Sequence, residues 1–485
     1  MTESSFRAPY PDGLPVGDGW VTTTAHSDVV FPYDGSVVAA APVGDAALAG
    51  QALEHAAALA PAVGKLSSAD RRALLVAVER ALADRVAELE RLLVLETGKP
   101  LVDCRTEVAR TLTTWAATAE EVSHIHGETV PVDLQPTGVG MLGYWTRRPA
   151  GVVVGIAGFN YPLLLASHKV APAIAAGCPI IVKPAPGTPL ATLWMVHLIR
   201  GAAADLGLPA GWVQLVTGDA AVGSTLVTDP RVAVVSFTGS AAVGHRIARD
   251  AAPRRVVLEL GSNAALLVAA DADLDRATDA VVRGGFYANG QACIAIQRIV
   301  VEESVAGRFE SLLATKMAAV RVGDPRADST RVAPLIDERS TARVLEWVGE
   351  AVQAGARVVH GGDAQGRTIT PTVLAGVPAD SRVWREEVFG PVVCLTTVPD
   401  FDTALKVVND SRYGLQAAVF TASLATALRA VDELDVGGVV VNEVPGFRSD
   451  IMPYGGVKDS GIGREGPRFA IEEYTVTKMA LIRPA

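Results

Sequence analysis

The stretch GFYANGQACIAIQR, residues 285–298, sets one cysteine, Cys293, between a glycine-rich approach and the apolar run IVV at residues 299–301. A lone cysteine is more often a small buried hydrophobic residue than a reactive one, and this stretch alone favours that interpretation. Two segments upstream favour chemistry instead: LELGS at residues 258–262 and GFNYP at residues 158–162. The three segments together hold a thiol, a carboxylate and a side-chain amide, which are the groups that covalent catalysis on a carbonyl needs.

Strand-like segments surround these stretches and alternate with helical ones. The short β-branched segments lie at residues 152–156, 180–183, 213–216, 232–237, 256–260, 264–268, 298–301, 392–398 and 438–441. Helical stretches such as residues 190–206 and 309–319 separate them. This alternation predicts an α/β fold with parallel, doubly wound sheets.

Helical patterns dominate the chain before residue 121. Residues 45–60 and 107–121 predict two of these helices. A third starts at the cap signal Ser67 and continues through apolar residues at helical spacing until Gly98 stops it.

Residues 129–145 predict a hairpin that projects from the body, and the tail from residue 470 predicts a last strand. That strand is expected to pair with the hairpin or with another subunit. The pattern G-x-G-x-x-G occurs at residues 138–143 and again at residues 461–466. Neither copy lies between a clear strand and a following helix of a βαβ unit, so neither is interpreted as a dinucleotide fingerprint.

Composition excludes several classes of protein. The 485 residues are 49% hydrophobic and 20% charged, which suits a soluble globular enzyme of two or three lobes. The net charge is −10 and basic residues cluster only in pairs, so no nucleic-acid partner is expected. The sequence has no secretory signal and no apolar run of the ~18 residues that a membrane span needs. Its four cysteines lack CxxC or metal-ligand spacing, so we expect a cytoplasmic protein without a metal site or a membrane partner.

Two features that follow predicted strands indicate a nucleotide site. Lys183 comes at the end of one strand, where open parallel sheets bind their ligands. The segment SFTGSAAVG, residues 236–244, follows another strand and opens a helix, so its free N–H groups can face a pyrophosphate. A solvated lysine and a serine N-cap with a glycine turn are the ordinary alternatives.

These segments make the sequence resemble the aldehyde dehydrogenase superfamily from about residue 32 to residue 475, which is nearly the whole chain. Residues 259–263, 293–298 and 447–448 look most like its lactaldehyde, sulfolactaldehyde and phosphonoacetaldehyde branch. The resemblance implies a Rossmann-like cofactor domain, an α/β catalytic domain and a small β oligomerisation arm. Their expected bounds are 1–128 with 149–261, then 262–453, and finally 129–148 with 470–485. A homodimer or homotetramer is implied, and the sequence does not decide between them.

The resemblance places an NAD or NADP site on this chain. Lys183 would hold the adenosine ribose, Ser240 would lie beside the pyrophosphate, and Thr238 and Gly239 would lie beside the nicotinamide. The other members of the implied cofactor set are Pro186, Phe237, Leu260, Glu387 and Phe389, of which Glu387 and Phe389 match the family's contacts to the nicotinamide ribose.

Pro186 leaves the nucleotide preference open. Many NAD-preferring family members have a glutamate at this position, where its carboxylate binds the ribose hydroxyls and repels a 2′-phosphate. Proline does neither, so the sequence permits both NAD and NADP.

The resemblance also implies the chemistry. Cys293 would attack the aldehyde as a thiolate, and collapse of the tetrahedral adduct would send a hydride to the nicotinamide. An ordinary cysteine has a pKa of about 8.5 and needs a base, and Glu259 precedes Cys293 at the family's spacing. Glu259 would also activate the water that hydrolyses the thioester. Asn160 and the Cys293 N–H would bind the oxyanion, while Lys169 and Glu465 match positions that relay protons from the base.

The resemblance also implies a channel for the aldehyde substrate. By the same resemblance it is lined by Trp115, Tyr161, His168, Ala292, Ile294, Arg448 and Tyr454. A cation such as Arg448 suits a small hydroxylated or anionic aldehyde. The ordinary alternative for Arg448 is an ion pair with Asp450 or with a neighbouring subunit.

Three other functions stay open at this level. One is a coenzyme A-acylating semialdehyde dehydrogenase, against which Glu259 argues because such members commonly lack it. Another is a reductase that runs toward the aldehyde, as in acyl-phosphate reduction. The third is a catalytically silent binding or structural protein on the same fold.

Overall fold

The computed structural model describes residues 6–484 as a mixed α/β protein with two large sheets and four small ones. The elements up to residue 130 are β1 (Ala25–Val30), β2 (Val37–Val43), α1 (Ala46–Val63), α2 (Ser68–Ala83), α3 (Val86–Thr97), α4 (Leu101–Glu121) and β3 (Thr129–Val130). Those from there to residue 259 are β4 (Leu142–Pro149), β5 (Val152–Ile156), α5 (Pro162–Ala176), β6 (Ile180–Lys183), α6 (Leu190–Asp205), β7 (Val213–Leu215), α7 (Ala220–Thr228), β8 (Val232–Thr238), α8 (Ala241–Ala251) and β9 (Arg255–Glu259).

The second half continues the alternation of strands and helices. Its elements up to residue 398 are β10 (Ala265–Val268), α9 (Leu274–Phe286), β11 (Arg298–Glu302), α10 (Glu303–Met317), α11 (Glu338–Gln353), β12 (Arg357–His360), β13 (Ala364–Gln365), β14 (Thr368–Ile369), β15 (Thr372–Ala375), α12 (Arg382–Arg385) and β16 (Val392–Val398). The remaining elements are α13 (Phe401–Asn409), β17 (Tyr413–Gly414), β18 (Gln416–Phe420), α14 (Leu424–Glu433), β19 (Gly438–Val441), β20 (Val457–Lys458), β21 (Gly461–Ile462), α15 (Pro467–Glu473) and β22 (Thr475–Ile482).

The single helix expected from Ser67 to Gly98 is wrong, because the structure divides it into α2 and α3. Arg85, between the two helices, has φ −123° and ψ 15°, which is outside the helical region. Asp84 caps the end of α2, where aspartate is better tolerated than in a helix interior. Both helices bury leucine and valine side chains in the same core, so the apolar spacing continues through the break.

The first large sheet has the order β21-β9-β8-β5-β6-β7. Strands β5 to β9 run parallel, as the sequence predicts, and β21 adds to the β9 edge in the antiparallel sense. Residues 461–462 of the second G-x-G-x-x-G pattern therefore form an edge strand, with Gly461 opposite Glu259. This pairing confirms that the pattern does not open a βαβ unit.

The second large sheet has the order β12-β15-β16-β11-β10-β18-β19 and is parallel apart from β12. Its helices cover both faces, because separate apolar clusters lie on the two sides of β10, β11 and β16. The sequence pattern predicts none of the helices or strands from α11 to β15.

The third sheet, β22-β4-β3, is antiparallel. Strand β22 pairs with β4 along its full length, from Thr475 opposite Pro149 to Ile482 opposite Leu142. The predicted pairing of the tail with the hairpin is therefore confirmed. Within residues 6–484, every helix is too short or too polar to cross a lipid bilayer.

Candidate active site

A cavity of about 420 Å³ lies between the carboxyl ends of β5, β8 and β9 in the first large sheet and the segments that precede β11 and β16 in the second. Its wall includes fifteen of the residues proposed from the sequence: Asn160, Tyr161, His168, Thr238, Gly239, Ser240, Glu259, Leu260, Ala292, Cys293, Ile294, Glu387, Phe389, Arg448 and Tyr454. These residues come from segments that are up to about three hundred positions apart, so their convergence is a property of the fold.

A strained turn positions Cys293. Ala288, Asn289 and Gly290 have φ of 47°, 61° and 70°, so three successive residues adopt left-handed geometry. Such residues cost of order 1–3 kcal/mol each unless the surroundings hold them. Here the Asn289 side chain donates to the carbonyls of Gly98 and Pro334 and accepts from the N–H of Ala333. The turn is therefore held by two distant backbone segments, one at Gly98 and one at residues 333–334.

The thiol of Cys293 rests in its neutral form. Its Sγ lies 3.4 Å from the hydroxyl of Tyr454. Burial raises the pKa of Cys293 to about 12, and the carboxylates of Glu387 and Glu259 add to this increase. The contact with Tyr454 and the charge of Arg448 oppose it. A neighbouring base must therefore remove the proton before the sulfur can act as a nucleophile.

Glu259 ends β9 and carries a buried carboxyl group with both oxygens unpartnered among the residues that the structure describes. Burial, followed by the negative charge of Glu465, raises the pKa of Glu259 well above its usual range. Arg448 and Lys169 oppose this shift. A buried carboxyl group without hydrogen bonds is costly, and such cost is typical of a functional site. The position suits a base that exchanges protons during a reaction.

Thr238, Lys169 and Glu465 form a chain of polar contacts near Glu259. Lys169 is wholly buried, and its Nζ lies 3.0 Å from Oε1 of Glu465 and 2.7 Å from Oγ1 of Thr238. The charge of Lys169 and the neighbouring His168 and Arg448 lower the pKa of Glu465 well below its usual range. The surroundings thus favour the ionised form of Glu465 and the protonated form of Glu259. Neither Lys169 nor Glu465 forms the cavity wall, although both contact residues that do.

Asn160 lies in the loop between β5 and α5 and connects to the cysteine loop. Its Nδ2 donates a hydrogen bond of 2.8 Å to the carbonyl of Gln291, two residues before Cys293. The same amide group has a second N–H that this bond does not use. The amide of Asn160 is therefore fixed to the loop that carries Cys293, and both residues line the cavity.

Three basic side chains share the substrate side of the cavity: Arg110, His168 and Arg448. Arg110 binds Asp450 through two hydrogen bonds of 2.7 and 3.1 Å, and His168 Nε2 lies 3.3 Å from the same carboxylate. These contacts lower the pKa of Asp450. The sequence interpretation missed Arg110, because an arginine within a helical pattern gives no local signal of facing a cavity.

Arg448 does not pair with Asp450, so that alternative is wrong. Its Nη2 lies 3.4 Å from Oε2 of Glu465, and its guanidinium stacks 3.7 Å from the ring centroid of Tyr454. The side chain is 5% exposed, and its Nε has no partner among the described residues. Arg448 therefore combines one contact to a carboxylate with a second, buried N–H donor that the described residues leave unused.

Trp115 lies apart from the cavity. It is wholly buried in the core, and its ring N–H donates to Oγ of Ser167 at 3.0 Å. The structure does not bring this member of the predicted substrate set to the site.

The other side of the cavity suits a dinucleotide. Ser240 precedes α8 without capping it through its side chain, so the first N–H groups of that helix remain open to a phosphate. A Cβ at Gly239 would lie 2.5 Å from the ring of Phe237, which is buried beneath it rather than on the wall. Leu260, which directly follows β9, also lies on the cavity wall.

Glu387 and Phe389 line the same side of the cavity, the one that suits a dinucleotide. Glu387 accepts the N–H of Ser262 at 3.0 Å, and burial raises the pKa of its carboxyl group to about 7. A Cβ at Gly261 would lie 2.4 Å from this carboxylate, so a larger residue there would displace the Glu387 side chain. Phe389 has φ 50° and meets Phe159 edge to face at 5.6 Å. The backbone strain holds an aromatic side chain at the cavity, as a nucleotide-binding wall requires.

Lys183 and Pro186 lie outside the cavity wall, at the end of β6. Lys183 is buried, which lowers its pKa, while Asp219 nearby opposes that shift. Pro186 is exposed three residues later. Both lie at the carboxyl edge of the first large sheet, where the far end of a dinucleotide would extend.

Comparison with known proteins decides the family. The family model described as the aldehyde dehydrogenase family matches residues 20–480. The chain belongs to the aldehyde dehydrogenase family. The predicted resemblance, the fold and the reaction class are thus confirmed: this aldehyde dehydrogenase oxidises an aldehyde to the carboxylic acid with NAD⁺ or NADP⁺.

Relatives with known names or structures align along almost the whole chain. The enzyme is 39% identical to a 3-sulfolactaldehyde dehydrogenase of Priestia aryabhattai over 97% of this chain and 98% of the relative. It superposes with a TM-score of 0.94 on aldehyde dehydrogenase 21 of Physcomitrella patens in complex with succinate, at 35% identity over 98% and 99% of the two chains. It superposes with a TM-score of 0.92 on the glyceraldehyde-3-phosphate dehydrogenase GapN of Methanocaldococcus jannaschii complexed with NADP, at 33% identity over 95% and 100%.

Proposed function

We propose that the enzyme oxidises a small aldehyde with an anionic group at its other end, through covalent chemistry on Cys293. One observation carries the proposal: a single cavity holds a thiol, an unpartnered Glu259 and the basic side chains Arg110, His168 and Arg448. Neutral aldehydes do not require such a concentration of basic groups.

The proposed chemistry begins with transfer of the thiol proton of Cys293 to the ionised form of Glu259. The thiolate attacks the carbonyl carbon, and Asn160 Nδ2–H together with the Cys293 N–H stabilises the resulting oxyanion; one such donor is typically worth ~3 kcal/mol. The bound nicotinamide supplies the hydride acceptor, and a thioester on Cys293 remains. Glu259 next releases the thiol proton, and its carboxylate then removes a proton from the attacking water. The carboxylate product leaves and the thiol is restored.

Proton exit from Glu259 is proposed to pass toward Lys169 and Glu465. Glu465 is ionised and wholly buried, and Lys169 connects it to the hydroxyl of Thr238 on the cavity wall. Each hydrolysis releases a proton that Glu259 must lose before the next turnover. A buried chain of hydrogen-bonding groups provides a route for that proton away from the closed site.

The anionic end of the substrate is proposed to bind Arg448. The unpartnered Nε of Arg448 offers a donor, and its ring partner Tyr454 reaches Cys293 Sγ at 3.4 Å. Because Arg448 and Cys293 both contact Tyr454, only a few bonds can separate the aldehyde carbon from the anionic group of the substrate. The sulfonate named for the Priestia relative and the succinate in the Physcomitrella complex are both small anions of this kind.

The first test measures reduced-nicotinamide absorbance with a panel of sulfonated, carboxylated and neutral aldehydes, with NAD⁺ or NADP⁺. Cys293→Ala, which lacks the nucleophile, serves as the control and should abolish turnover with all of them. Turnover that survives in this variant, or that appears only when coenzyme A is added, would contradict the proposed hydrolytic route.

Arg448→Leu tests the substrate class. Loss of a charged hydrogen bond costs about 1.5–3 kcal/mol, so KM for an anionic aldehyde should rise by roughly 10–100-fold. KM for a neutral aldehyde of similar size is the internal control and should change little. An unchanged KM for the anionic aldehydes would exclude Arg448 as their binding group.

We also propose that the β22-β4-β3 sheet is an oligomerisation arm and that the enzyme is a homodimer or homotetramer. Its apolar side chains Leu142, Val476, Met479 and Leu481 are all more than 40% exposed, and β22 forms one edge of the sheet. Exposed apolar edge strands are typical sites of pairing between chains.

The proposed domain bounds are 1–128 with 149–261 for the cofactor domain, 262–453 for the catalytic domain, and 129–148 with 470–485 for the arm. The two large sheets lie within the first two of these units apart from β21. A cytoplasmic location remains a prediction. All four cysteines are free, which suits a reducing compartment.

A further inference from the structure

A buried carboxylate from a neighbouring helix caps the start of α5. Helix α5 begins without a side-chain cap of its own, since Tyr161 at its N-terminus makes no such bond. Oε1 of Glu107, on α4, accepts the N–H groups of Leu163 and Leu164 at 3.0 and 3.2 Å. A negative charge at this end of a helix also complements the helix dipole.

Lys99 completes the arrangement from the loop between α3 and α4. Its ammonium forms an ion pair with Oε2 of Glu107 and lies 3.7 Å from the ring centroid of Tyr161. Lys99 is 1% exposed and Glu107 is wholly buried. The cation therefore contacts the capping carboxylate on one side and an aromatic face on the other, where a desolvated cation–π contact is strongest.

The groups that this pair fixes belong to the site. Tyr161 forms part of the cavity wall, and α5 carries both His168 and Lys169. Asn160 immediately precedes Tyr161 in the chain. A shift of the first turn of α5 would therefore move the oxyanion donor, the channel wall and the proton route together.

The same region contains a matched pair of interactions that does not reach the site. Glu96, on α3, is also wholly buried and accepts the N–H groups of Leu190 and Ala191 at 2.9 and 3.1 Å, at the start of α6. Helix α6 contributes no residue to the cavity wall. The two glutamates thus have the same local role and differ in whether the capped helix carries active-site groups.

We propose that Lys99 and Glu107 are positioning residues for the aldehyde reaction, which fix the Tyr161 ring and the first turn of α5 in register with Cys293. This inference rests on the proposed function of the cavity and assigns the two residues no contact with substrate. Nucleotide binding, at the carboxyl edge of β6 and β8, is independent of them.

The test replaces Lys99 by methionine, which keeps the length of the side chain and removes its charge. A displacement of about 1 Å in a reacting geometry can cost ~10²-fold in rate, so kcat/KM for the aldehyde should fall by about that factor. KM for the nucleotide should stay within about twofold of the wild-type value, because the α8 end of the cavity does not contact Lys99. A nucleotide KM that rises beyond this range together with the fall in kcat/KM, or an unchanged kcat/KM for the aldehyde, would overturn the proposal.

Glu96→Gln is the matched control. It weakens a buried helix cap of the same geometry, so it should lower the melting temperature without the aldehyde-specific loss. The same aldehyde-specific loss in Glu96→Gln would show that any weakened cap in this core impairs the reaction, and would overturn the proposal.

A second variant covers the case in which Lys99→Met leaves Glu107 charged and unfolds the protein. The double variant Lys99→Met with Glu107→Gln removes both charges and keeps an amide oxygen to accept the two N–H groups. It should fold, and it should retain the aldehyde-specific loss because the cation on Tyr161 is gone. Wild-type aldehyde kinetics in this folded variant would overturn the proposal.

A crystal structure of the double variant separates failure of this inference from failure of the proposed function. The Tyr161 ring and the first turn of α5 should be displaced or partly disordered, whether or not the wild-type enzyme accepts the aldehydes tested. An unchanged position of both would overturn the positioning role. Absent turnover in the wild type would instead count against the proposed substrate class alone.

Discussion

Glu259 and Glu465 lie on the same side of the site, yet their environments separate their protonation. Burial and the nearby Glu465 raise the pKa of Glu259, while Lys169, His168 and Arg448 lower the pKa of Glu465. Pairs of acids that are separated in this way divide the tasks of base and permanent charge between them. The surroundings therefore favour the protonated form of Glu259 and the ionised form of Glu465, as the proposed division of roles requires.

This assignment predicts the pH dependence of the reaction. The base form of Glu259 becomes more abundant as the pH rises toward its elevated pKa, and the Cys293 thiol, with a pKa of about 12, also ionises only at high pH. The rate of thioester hydrolysis should thus increase from neutral to alkaline pH. Stopped-flow measurement of the steady rate after the burst, across pH, tests this.

Glu259→Gln provides the control for that profile. The amide keeps the shape of the side chain and cannot accept the proton, so the steady rate should fall by about 10²–10⁴-fold, the usual contribution of a general base. The increase with pH should disappear as well. A variant that retains the alkaline increase would assign it to another group.

Sequence patterns identified some residues of the site and necessarily missed others. Cys293, Glu259 and Asn160 belong to short segments whose neighbours are distinctive, so a resemblance can locate them. Arg110 belongs to an ordinary helical pattern, and only the packing of α4 against α5 brings it to the cavity. The partner of Arg448 is Glu465, and no local rule selects it over Asp450, two positions away.

At the scale of elements, nine strands of the two large sheets, β5 to β11, β16 and β19, were predictable because their β-branched runs are short and bounded by turns. The sequence pattern predicts no strand at β12, β15, β18 or β21 of the same sheets. Local pattern says less about where a regular element is interrupted. The break at Arg85 leaves the apolar spacing of the two helices intact, and the left-handed turn at residues 288–290 depends on partners that are distant in sequence. The turn is the more consequential, because Cys293 follows it directly.

Gly290→Ala tests the turn. Gly290 has φ 70°, and a Cβ there would lie 2.2 Å from the carbonyl oxygen of Gly390, which is backbone and cannot rotate away. The substitution should lower stability by more than the ~1–2 kcal/mol of left-handed strain alone, and should displace Cys293. Urea unfolding and the rate of Cys293 labelling by iodoacetamide measure the two effects.

A matched glycine allows that result to be interpreted. Gly349 lies inside α11 with open space around its Cβ position. Gly349→Ala should therefore stabilise the protein by about 0.5–1 kcal/mol, since alanine favours a helix interior. A neutral effect of Gly290→Ala beside this control would show that the turn has room to relax.

The β22 edge makes a prediction about assembly. Leu481 is 57% exposed on β22, and a lysine there would place a charge in any interface that this strand forms. Leu481→Lys should shift the enzyme from its oligomer to monomers in light scattering coupled to size exclusion. Leu206→Lys, at an exposed leucine after α6, is the control and should leave the mass unchanged. An oligomer that survives Leu481→Lys would place its interface elsewhere.

At the scale of the whole molecule, the catalytic cavity belongs to neither sheet alone. The first large sheet supplies Glu259 and the strand ends on the nucleotide side, and the loop before β11 of the second sheet supplies Cys293. The fold class was predictable because alternation of strands and helices is a property of the whole chain. How the two sheets face each other was not, because that arrangement depends on side chains packed between segments hundreds of residues apart.

Because a bound nucleotide stabilises the folded protein, melting temperatures measured with NAD⁺ and with NADP⁺ test the nucleotide preference. A nucleotide that binds only the folded chain stabilises it by about 2.7 kcal/mol at a hundredfold excess over Kd, so both NAD⁺ and NADP⁺ should raise the melting temperature of the wild type. Pro186→Glu adds a carboxylate at an exposed position beyond Lys183, where the family's NAD-preferring members have one. Repulsion of the 2′-phosphate should weaken NADP⁺ binding by at least about tenfold, or ~1.4 kcal/mol, and leave NAD⁺ binding intact.

The neighbouring Gly187 supplies the control for charge alone. Its Cβ position is open, so Gly187→Glu adds the same charge to the same loop without directing it at the expected ribose position. Selective loss of the NADP⁺ shift in Pro186→Glu, with both shifts kept in Gly187→Glu, would place the adenosine ribose beside Lys183. Equal loss in both variants would show that the loop repels the phosphate only through its overall charge. Unchanged shifts in both would place the 2′-position of the nucleotide away from the end of β6.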